Sequence, residues 1–412
     1  TTYKHGEIAF QLNDSEACLL LGLKDAQPLL ETVQMQSSIK QLIFTDIEDA
    51  FRLPALADLN SPPSEEKNHR LEPSSPSINL SSLLESYAGT AAPDVGVTSE
   101  DAAIFQYSGG TTGTPKAAIG LHRNLVANML QFRHLMCMLK DGEQTFLNAI
   151  PLFHVYGMVI GMGVAVYLGA GMVLIPNPRD LQDILQSIQT YSATVFPGVP
   201  NMYHAIGHHP DVISGKYSLQ SLKACISGSA PLLRETKEQF ERVSGAKLVE
   251  GYGLSEAPTA THCNPILGEN RTGSIGLPLP DVDAIIINMQ DEKTIQPVGE
   301  AGELVISSPQ LMQGYHKMPE ETAQALRDGW LYTGDIATMD KDGYFYLVDR
   351  KKDVIKVGGL QVWPREVEEA ISSHPSVREV GVAGVPHIQY GETVKAWVVL
   401  LEGQEITATE IT

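Results

Sequence analysis

The chain has 412 residues, 43% of them hydrophobic, enough to bury several cores and build more than one domain. Its formal net charge of −20 excludes a nucleic-acid-binding surface, which needs concentrated Lys and Arg. Cys18, Cys137, Cys225 and Cys263 are widely spaced with no C-x-x-C, so free thiols in a reducing cytoplasm are expected.

The chain opens on polar TTYKHGE, with no targeting signal at that point. ACLLLGL then reads as a strand, DAQPLLETVQM as a helix and KQLIFTD as a second strand. This βαβ unit has a continuous apolar strand, which predicts a parallel sheet covered on both faces. Residues 60–77, rich in Ser, Pro and charge, are expected to form an exposed loop. AAIFQYS and KAAIGLH are strands flanking a Gly/Thr loop, followed by a helix over NLVANMLQFRHLM.

Met158 to Ile175 carries no charge over 18 residues, the lower limit for a membrane span. Gly161, Gly163 and the turn GAG break it, so a buried helix, a turn and a buried strand are expected instead. RDLQDILQSIQ predicts a helix feeding the strand ATVFPG. From about Asn264 the texture changes: DAIIINM, GELVISS and GYFYLVDR are strands separated by turns, without intervening helices. After Arg350 come a charged junction, a helix opened by Pro364, and the strands REVGVAGV and VKAWVVLL, a small α+β domain behind a hinge.

Five segments carry chemistry. In YSGGTTGTPK (Tyr107 to Lys116), glycines let backbone N–H groups approach an oxyanion, while hydroxyls and an ammonium add donors. The spacing is not that of a Walker A loop, because Thr-Pro separates Gly113 from Lys116. GYGLSEAPT, read as a polar loop after the strand AKLVE, offers an aromatic, a hydroxyl and a carboxylate in Tyr252, Ser255 and Glu256. YTGD ends in Asp335, which suits a pair of ribose hydroxyls or caps a turn. DRKKDVIKVGGLQ concentrates Arg350, Lys351, Lys352 and Lys356 in an otherwise acidic chain, and PLFHVYG sets His154 among aromatics.

In this order and spacing the five segments resemble the adenylate-forming superfamily of acyl-CoA synthetases, luciferases and peptide-synthetase adenylation domains. PLFHVYG, SGSAPL, GYGLSEAPTATHCNP and GSIGLPLPDVD are similar to bacterial long-chain fatty-acid–CoA ligases, with plant coumarate ligases the next most similar. The resemblance implies an α/β fold: a large N-terminal domain of layered sheets over 1–349, with an antiparallel barrel-like subdomain over about 264–349. A hinge and the start of a small α+β domain over 350–412 follow. The family normally carries a further stretch ahead of Thr1 and a lysine motif, roughly P-[KR]-T-x-x-G-K, beyond Thr412. The chain is therefore expected to be a piece of a longer protein.

The implied reaction is ATP-dependent activation of a fatty acid to acyl-AMP, then transfer to coenzyme A, with Mg²⁺ as cofactor. A coumarate-like acid as substrate, or a non-catalytic binder of nucleotide or acyl-adenylate, are the alternatives. By the resemblance Ser108, Gly109, Gly110, Thr111, Thr112, Gly113 and Lys116 hold the β- and γ-phosphates, and Thr111 and Glu256 reach Mg²⁺. Tyr252, between Gly251 and Gly253, stacks on adenine beside Gly228, Ser229 and Ala230, and Ser255 meets the α-phosphate. Asp335 and Arg350 hold the ribose, and Lys352 is the hinge. Lys356 and Gln361 meet the adenylate in one pose of the small domain, while Gly358 and Gly359 pass the pantetheine. His154 and Tyr156 border the acyl carboxylate, and Tyr203 sits at the mouth of the acyl tunnel. Catalytic roles fall on Lys356 and His154. A lipid substrate is compatible with peripheral membrane association, and the sequence is compatible with a homodimer.

HAIGHH puts His204 and His208 at i, i+4, a zinc-compatible spacing, but no Glu completes H-E-x-x-H and Pro210 follows. No G-x-S-x-G elbow supports a serine hydrolase.

Overall fold

The computed structural model describes residues 4–46, 77–108, 115–357, 360–388, 390–404 and 406–407. Backbone contacts divide the chain into two units, Thr1–Thr98 and Ser99–Thr412.

In the first unit, α1 (His5–Asp14) precedes β1 (Leu19–Leu23), α2 (Gln27–Met35) and β2 (Gln41–Thr45). β1 and β2 pair in parallel, and β3 (Ser77–Asn79) adds to β2, ahead of the short α3 (Leu80–Ser86). The βαβ unit is thus as expected. Helix α2 crosses the sheet at Gly22, where a Cβ would fall 2.1 Å from Leu30 Cδ1. Leu42, Ile43 and Phe44 of β2 are buried, but β1 is an edge strand. Its Leu19, Leu21 and Leu23 point away from α2 and are about half exposed, so the expected cover on both faces is absent among the described residues. Most of the 60–77 stretch lies outside the described residues.

The second unit opens with the antiparallel hairpin β4 (Ala102–Ser108) and β5 (Lys116–Leu121), then α4 (His122–Leu135). A seven-stranded sheet follows. β6 (Thr145–Asn148), β7 (Gly171–Leu174), β8 (Val195–Gly198), β9 (Ala224–Ser227) and β10 (Lys247–Gly253) run parallel in the order β10-β9-β8-β6-β7. β11 (Ala260–Cys263) and β12 (Leu277–Pro278) extend its edge antiparallel. The uncharged stretch forms a π-helix (Tyr156–Gly163), α5 (Val164–Tyr167) and β7. Among the described residues no helix is long and apolar enough to cross a membrane.

Two apolar layers flank this sheet. One joins α4 and the π-helix through Phe132, Phe146 and Ile160. The other holds α6 (Leu181–Thr190), α7 (Pro200–Gly207), α8 (Pro210–Ile213) and α9 (Arg234–Ser244). Helix α6 shows the sequence logic: Asp180 caps it by accepting from Asp183 N–H, and Ile184, Leu185 and Ile188 form the buried stripe. Helix α9 ends at Gly245, whose φ of 70° suits the left-handed cap.

A five-stranded antiparallel sheet comes next: β13 (Asp283–Ile287), β14 (Gly302–Ser307), β15 (Leu326–Arg327), β16 (Trp330–Met339) and β17 (Phe345–Arg350). The expected absence of helices here is corrected by α10 (Pro319–Ala325), a short helix with Pro319 first and Glu320 and Glu321 in its opening turn. GYG, read as loop, is the end of β10, with Tyr252 opposite His262 on β11. Close strand approach makes Gly253 obligatory, since a Cβ would sit 1.8 Å from Thr259 O. Finally β18 (Ile355–Val357), β19 (Leu360–Val362), β20 (Val377–His387) and β21 (Gly391–Leu400) form a four-stranded sheet with α11 (Pro364–Ser372), the expected α+β group.

Tyr203 is fully buried in the second apolar layer, edge-on to Phe240 at 4.8 Å. Its hydroxyl reaches Phe196 O at 2.6 Å and Ile226 O at 2.8 Å. Tyr203→Phe should lower stability by about 1 kcal/mol, the scale of one buried neutral hydrogen bond. A urea midpoint equal to that of the parent chain would show that the hydroxyl contributes nothing.

Candidate active site

The parallel strands β8, β9 and β10 end at one edge of the seven-stranded sheet, where open α/β sheets bind ligands. A cavity of about 640 Å³ opens there, bounded by the ends of β9 and β10, the start of the π-helix, and β16–β17 of the antiparallel sheet. Ser108 and Lys116, the described ends of the Gly/Thr loop, line it. Gly109, Gly110, Thr111, Thr112 and Gly113 lie outside the described residues.

The β9 end contributes Gly228 and Ser229, whereas Ala230 is not among the lining residues. Gly228 passes over the Tyr156 ring so closely that a Cβ would lie 3.3 Å from Cε1. Ser229 holds a φ of 71°, a strained value for a residue with a side chain. Tyr156 is anchored by its hydroxyl to Ile226 O at 2.7 Å, and its N–H donates to His154 Nδ1 at 3.2 Å. An accepting Nδ1 requires the tautomer with hydrogen on Nε2, and burial lowers the His154 pKa, so a neutral imidazole borders the cavity.

The β10 end supplies Gly251, Tyr252, Gly253, Ser255 and Glu256. Asp335 and Arg350 face each other across the β16–β17 ladder, which explains why residues far apart in sequence meet. Arg350 Nε lies 3.2 Å from Asp335 Oδ1, and the Tyr252 hydroxyl donates to Oδ2 at 2.5 Å. Burial raises the Asp335 pKa, while Tyr252 and Arg350 pull it back. The Tyr252 ring is thereby tied to the cavity wall.

Glu256 is held by residues that sequence reasoning missed. The Tyr315 hydroxyl donates to Glu256 Oε1 at 2.8 Å, and Met312 N–H donates to Glu256 O at 2.8 Å. Residues 312–316 form a strap that also bonds to β5: Gln313 N–H to Ile119 O, Ile119 N–H to Gly314 O, and His316 N–H to Ala117 O. Lys116 Nζ stands 5.4 Å from the Tyr315 ring centre. The strap therefore ties the carboxylate loop to the strand leaving the Gly/Thr loop. Glu256 Oε2 makes no hydrogen bond among the described residues. A single carboxylate with a free oxygen suits Mg²⁺, which commonly takes one or two carboxylates plus substrate phosphates.

Lys352 lines the cavity, but Lys356 does not: it is exposed on β18, its N–H donating to Glu392 Oε2 at 2.8 Å. Gly358 and Gly359 lie outside the described residues; Gln361 pairs with Lys356 in the β18–β19 ladder, and its side chain is not described. Tyr203 is corrected from a tunnel-mouth residue to a core residue, because its ring and hydroxyl are committed to the layer behind the sheet. The His204 and His208 rings lie 4.3 Å apart, tilted to each other, and no group of three or more His, Cys, Asp or Glu among the described residues suits a metal.

With this geometry in place, comparison with known proteins is unambiguous. Residues 1–316 match the AMP-binding enzyme model and residues 366–412 the AMP-binding enzyme C-terminal domain. The chain belongs to the AMP-binding enzyme family. It is 39% identical to a long-chain-fatty-acid–CoA ligase of Bacillus subtilis, covering 99% of this chain and 72% of that protein. A protein of the same description from Escherichia coli O6:H1 is 34% identical, over 96% of this chain and 70% of its own length. Among solved structures, ATP-bound MatB from Rhodopseudomonas palustris superposes with a TM-score of 0.82 at 26% identity, covering 100% of this chain and 74% of that one.

One further buried group sits just before the site residues of β10. Glu250 Oε1 accepts from Leu232 N–H at 3.3 Å, and burial pushes its pKa up to about 7, against the opposing pull of that bond and of Arg365. The native state holds a proton here that the unfolded chain releases at the ordinary glutamate value. The contribution to stability is therefore full below about pH 4 and is lost as pH rises through about 7. Glu250→Gln stays neutral and should gain up to about 3 kcal/mol over the parent chain at pH 8, a gain that shrinks as pH falls from about 7 and is absent below about pH 4. Parallel stability profiles from pH 4 to 8 would contradict this.

Proposed function

We propose that this protein activates a long-chain fatty acid with ATP to acyl-AMP and transfers the acyl group to coenzyme A. The observation that carries this reading is the convergence of Lys116, Glu256, Tyr252, Asp335 and Arg350 on one cavity in a chain with such long-chain relatives.

In the first half-step a carboxylate oxygen attacks the α-phosphorus, and the bond to the bridging oxygen of pyrophosphate breaks. In the second, the CoA thiol sulfur attacks the acyl carbonyl and AMP leaves. Neither step needs a covalent bond to the protein, so catalysis rests on positioning and charge neutralisation. Lys116 and Ser108 hold the phosphates, and Tyr252 stacks on adenine. Asp335 exchanges its contact with Arg350 for the ribose hydroxyls, while the Tyr252 bond keeps its carboxylate in place. Neutral His154 presents Nε2–H toward the acyl carboxylate, beside Tyr156. Glu256 and Thr111 would hold Mg²⁺, which neutralises phosphate charge when bound.

Residues 350–412 swing about Lys352 between the two half-steps. Lys356 stands outside the cavity in the present pose and enters in the other, where it and Gln361 meet the adenylate. The pantetheine passes Gly358 and Gly359.

Pyrophosphate release and acyl-CoA formation by the protein as its gene encodes it should rise with acid chain length, about 0.8 kcal/mol of binding per buried methylene until the tunnel ends. A flat profile from short to long acids, or a preference for coumarate, would overturn the substrate assignment. Asp335→Ala should weaken AMP binding by roughly 1.5–3 kcal/mol, the range for hydrogen bonds to a charged group. An equal loss with 2′,3′-dideoxy-AMP would show that the carboxylate only shapes its turn.

A further inference from the structure

Lys351 lies between Arg350 and Lys352, yet its side chain turns back into the five-stranded sheet. Its Nζ sits 2.7 Å from Glu303 Oε2 and 2.7 Å from Glu292 Oε1. Glu303 is 3% exposed, and its Oε1 accepts the N–H of Gly334 at 3.1 Å. The backbone N–H of Lys351 donates to Gly334 O at 2.8 Å. Both sides of Gly334, which holds a φ of 71° at the bulge of β16 just before Asp335, are therefore fixed from Lys351: one directly, one through Glu303. Glu292 is locked in turn, its second oxygen 2.7 Å from Arg327 Nη1, and the Arg327 guanidinium lies 4.1 Å from the Tyr332 ring centre.

The Lys351–Glu303 contact differs from a surface ion pair, because Glu303 is buried. A buried carboxylate left without its cation is an uncompensated charge, so Glu303 depends on Lys351. Arg327 first, and Lys351 second, hold the Glu292 carboxyl down to about 2, so it stays ionised at neutral pH. Burial disfavours the Lys351 charge, but the two carboxylates outweigh it and raise its pKa.

We propose that Lys351 is a positioning residue for nucleotide binding: through Glu303 and Gly334 it aims the Asp335 carboxylate at the ribose cis-diol, without touching nucleotide itself. It also secures the chain on the near side of the junction, so that rotation of the small domain begins at Lys352 and leaves the Asp335 bulge of β16 unmoved. The inference rests on the nucleotide-binding reading given above.

Calorimetric titration of AMP and 2′,3′-dideoxy-AMP into the parent protein, Lys351→Met and Lys351→Arg tests it. Lys351→Met should weaken AMP binding about tenfold, the scale of one lost hydrogen bond to a charged group, and dideoxy-AMP binding far less. Lys351→Arg, which keeps the charge and the forked contact, should bind AMP nearly as the parent does. Should Lys351→Met fold poorly, the double variant Lys351→Met with Glu303→Gln removes the stranded charge and should show the same AMP-specific loss. AMP affinity unchanged in a folded Lys351→Met protein, or equal losses for the two nucleotides, would overturn the role while leaving the enzyme reading intact. A parent protein that binds no AMP would overturn both.

Discussion

The site depends on one buried carboxylate held from two sheets. Asp335 is 8% exposed, and its two oxygens are taken by Tyr252 from the seven-stranded sheet and by Arg350 from the next strand of its own sheet. Tyr252 crosses between the sheets, so the bond fixes the distance between their edges as well as the carboxylate's rotamer. The cavity exists because those edges meet there without closing. Desolvation raises the pKa of Asp335, and the donors around it work in the opposite direction. A carboxylate in that balance is held in place but keeps unspent hydrogen-bonding demand, which suits a diol ligand.

A second coupling works the same way. The strap over 312–316 bonds to Glu256 on one side and to β5 on the other, so the carboxylate loop and the strand leaving the Gly/Thr loop are tied together. Preorganised charge is worth most when the protein does not have to rearrange to use it. Strap, ladder and Lys351 network all place polar groups before any ligand arrives, and each uses backbone as well as side chains.

Most elements were legible because their signals are local. In the expected helix RDLQDILQSIQ, the cap Asp180 and the stripe Ile184-Leu185-Ile188 lie within a few residues of each other. The motif residues were legible by resemblance, and Lys116, Gly228, Tyr252, Ser255, Glu256, Asp335 and Arg350 do share one cavity. What escaped was long-range. Tyr315 reaches Glu256 across 59 positions and Lys351 reaches Glu303 across 48, and neither spacing leaves a periodic trace. Tyr203 failed for a different reason: the motif fixed its place in the chain, but it lies on the face of α7 that packs against Phe196 and Phe240 behind the sheet. β1 misled because an apolar run cannot say whether its second face is covered.

Charge explains how so acidic a chain can hold a polyphosphate. Lys116, Arg350, Lys351 and Lys352 line the cavity, against the carboxylates Glu256 and Asp335, within a protein of formal charge −20. Long-range repulsion of an anionic ligand is screened beyond about 8–10 Å at ordinary ionic strength, whereas a low-dielectric cleft focuses its own charges. Of the four cations, Lys351 is already neutralised by Glu292 and Glu303. Arg350 is likewise paired with Asp335, so the positive potential left for a ligand comes from Lys116, at the end of the Gly/Thr loop, and from Lys352. Lys351, whose charge is spent on two carboxylates, contributes least field at the cavity and is the cation best suited to fix geometry.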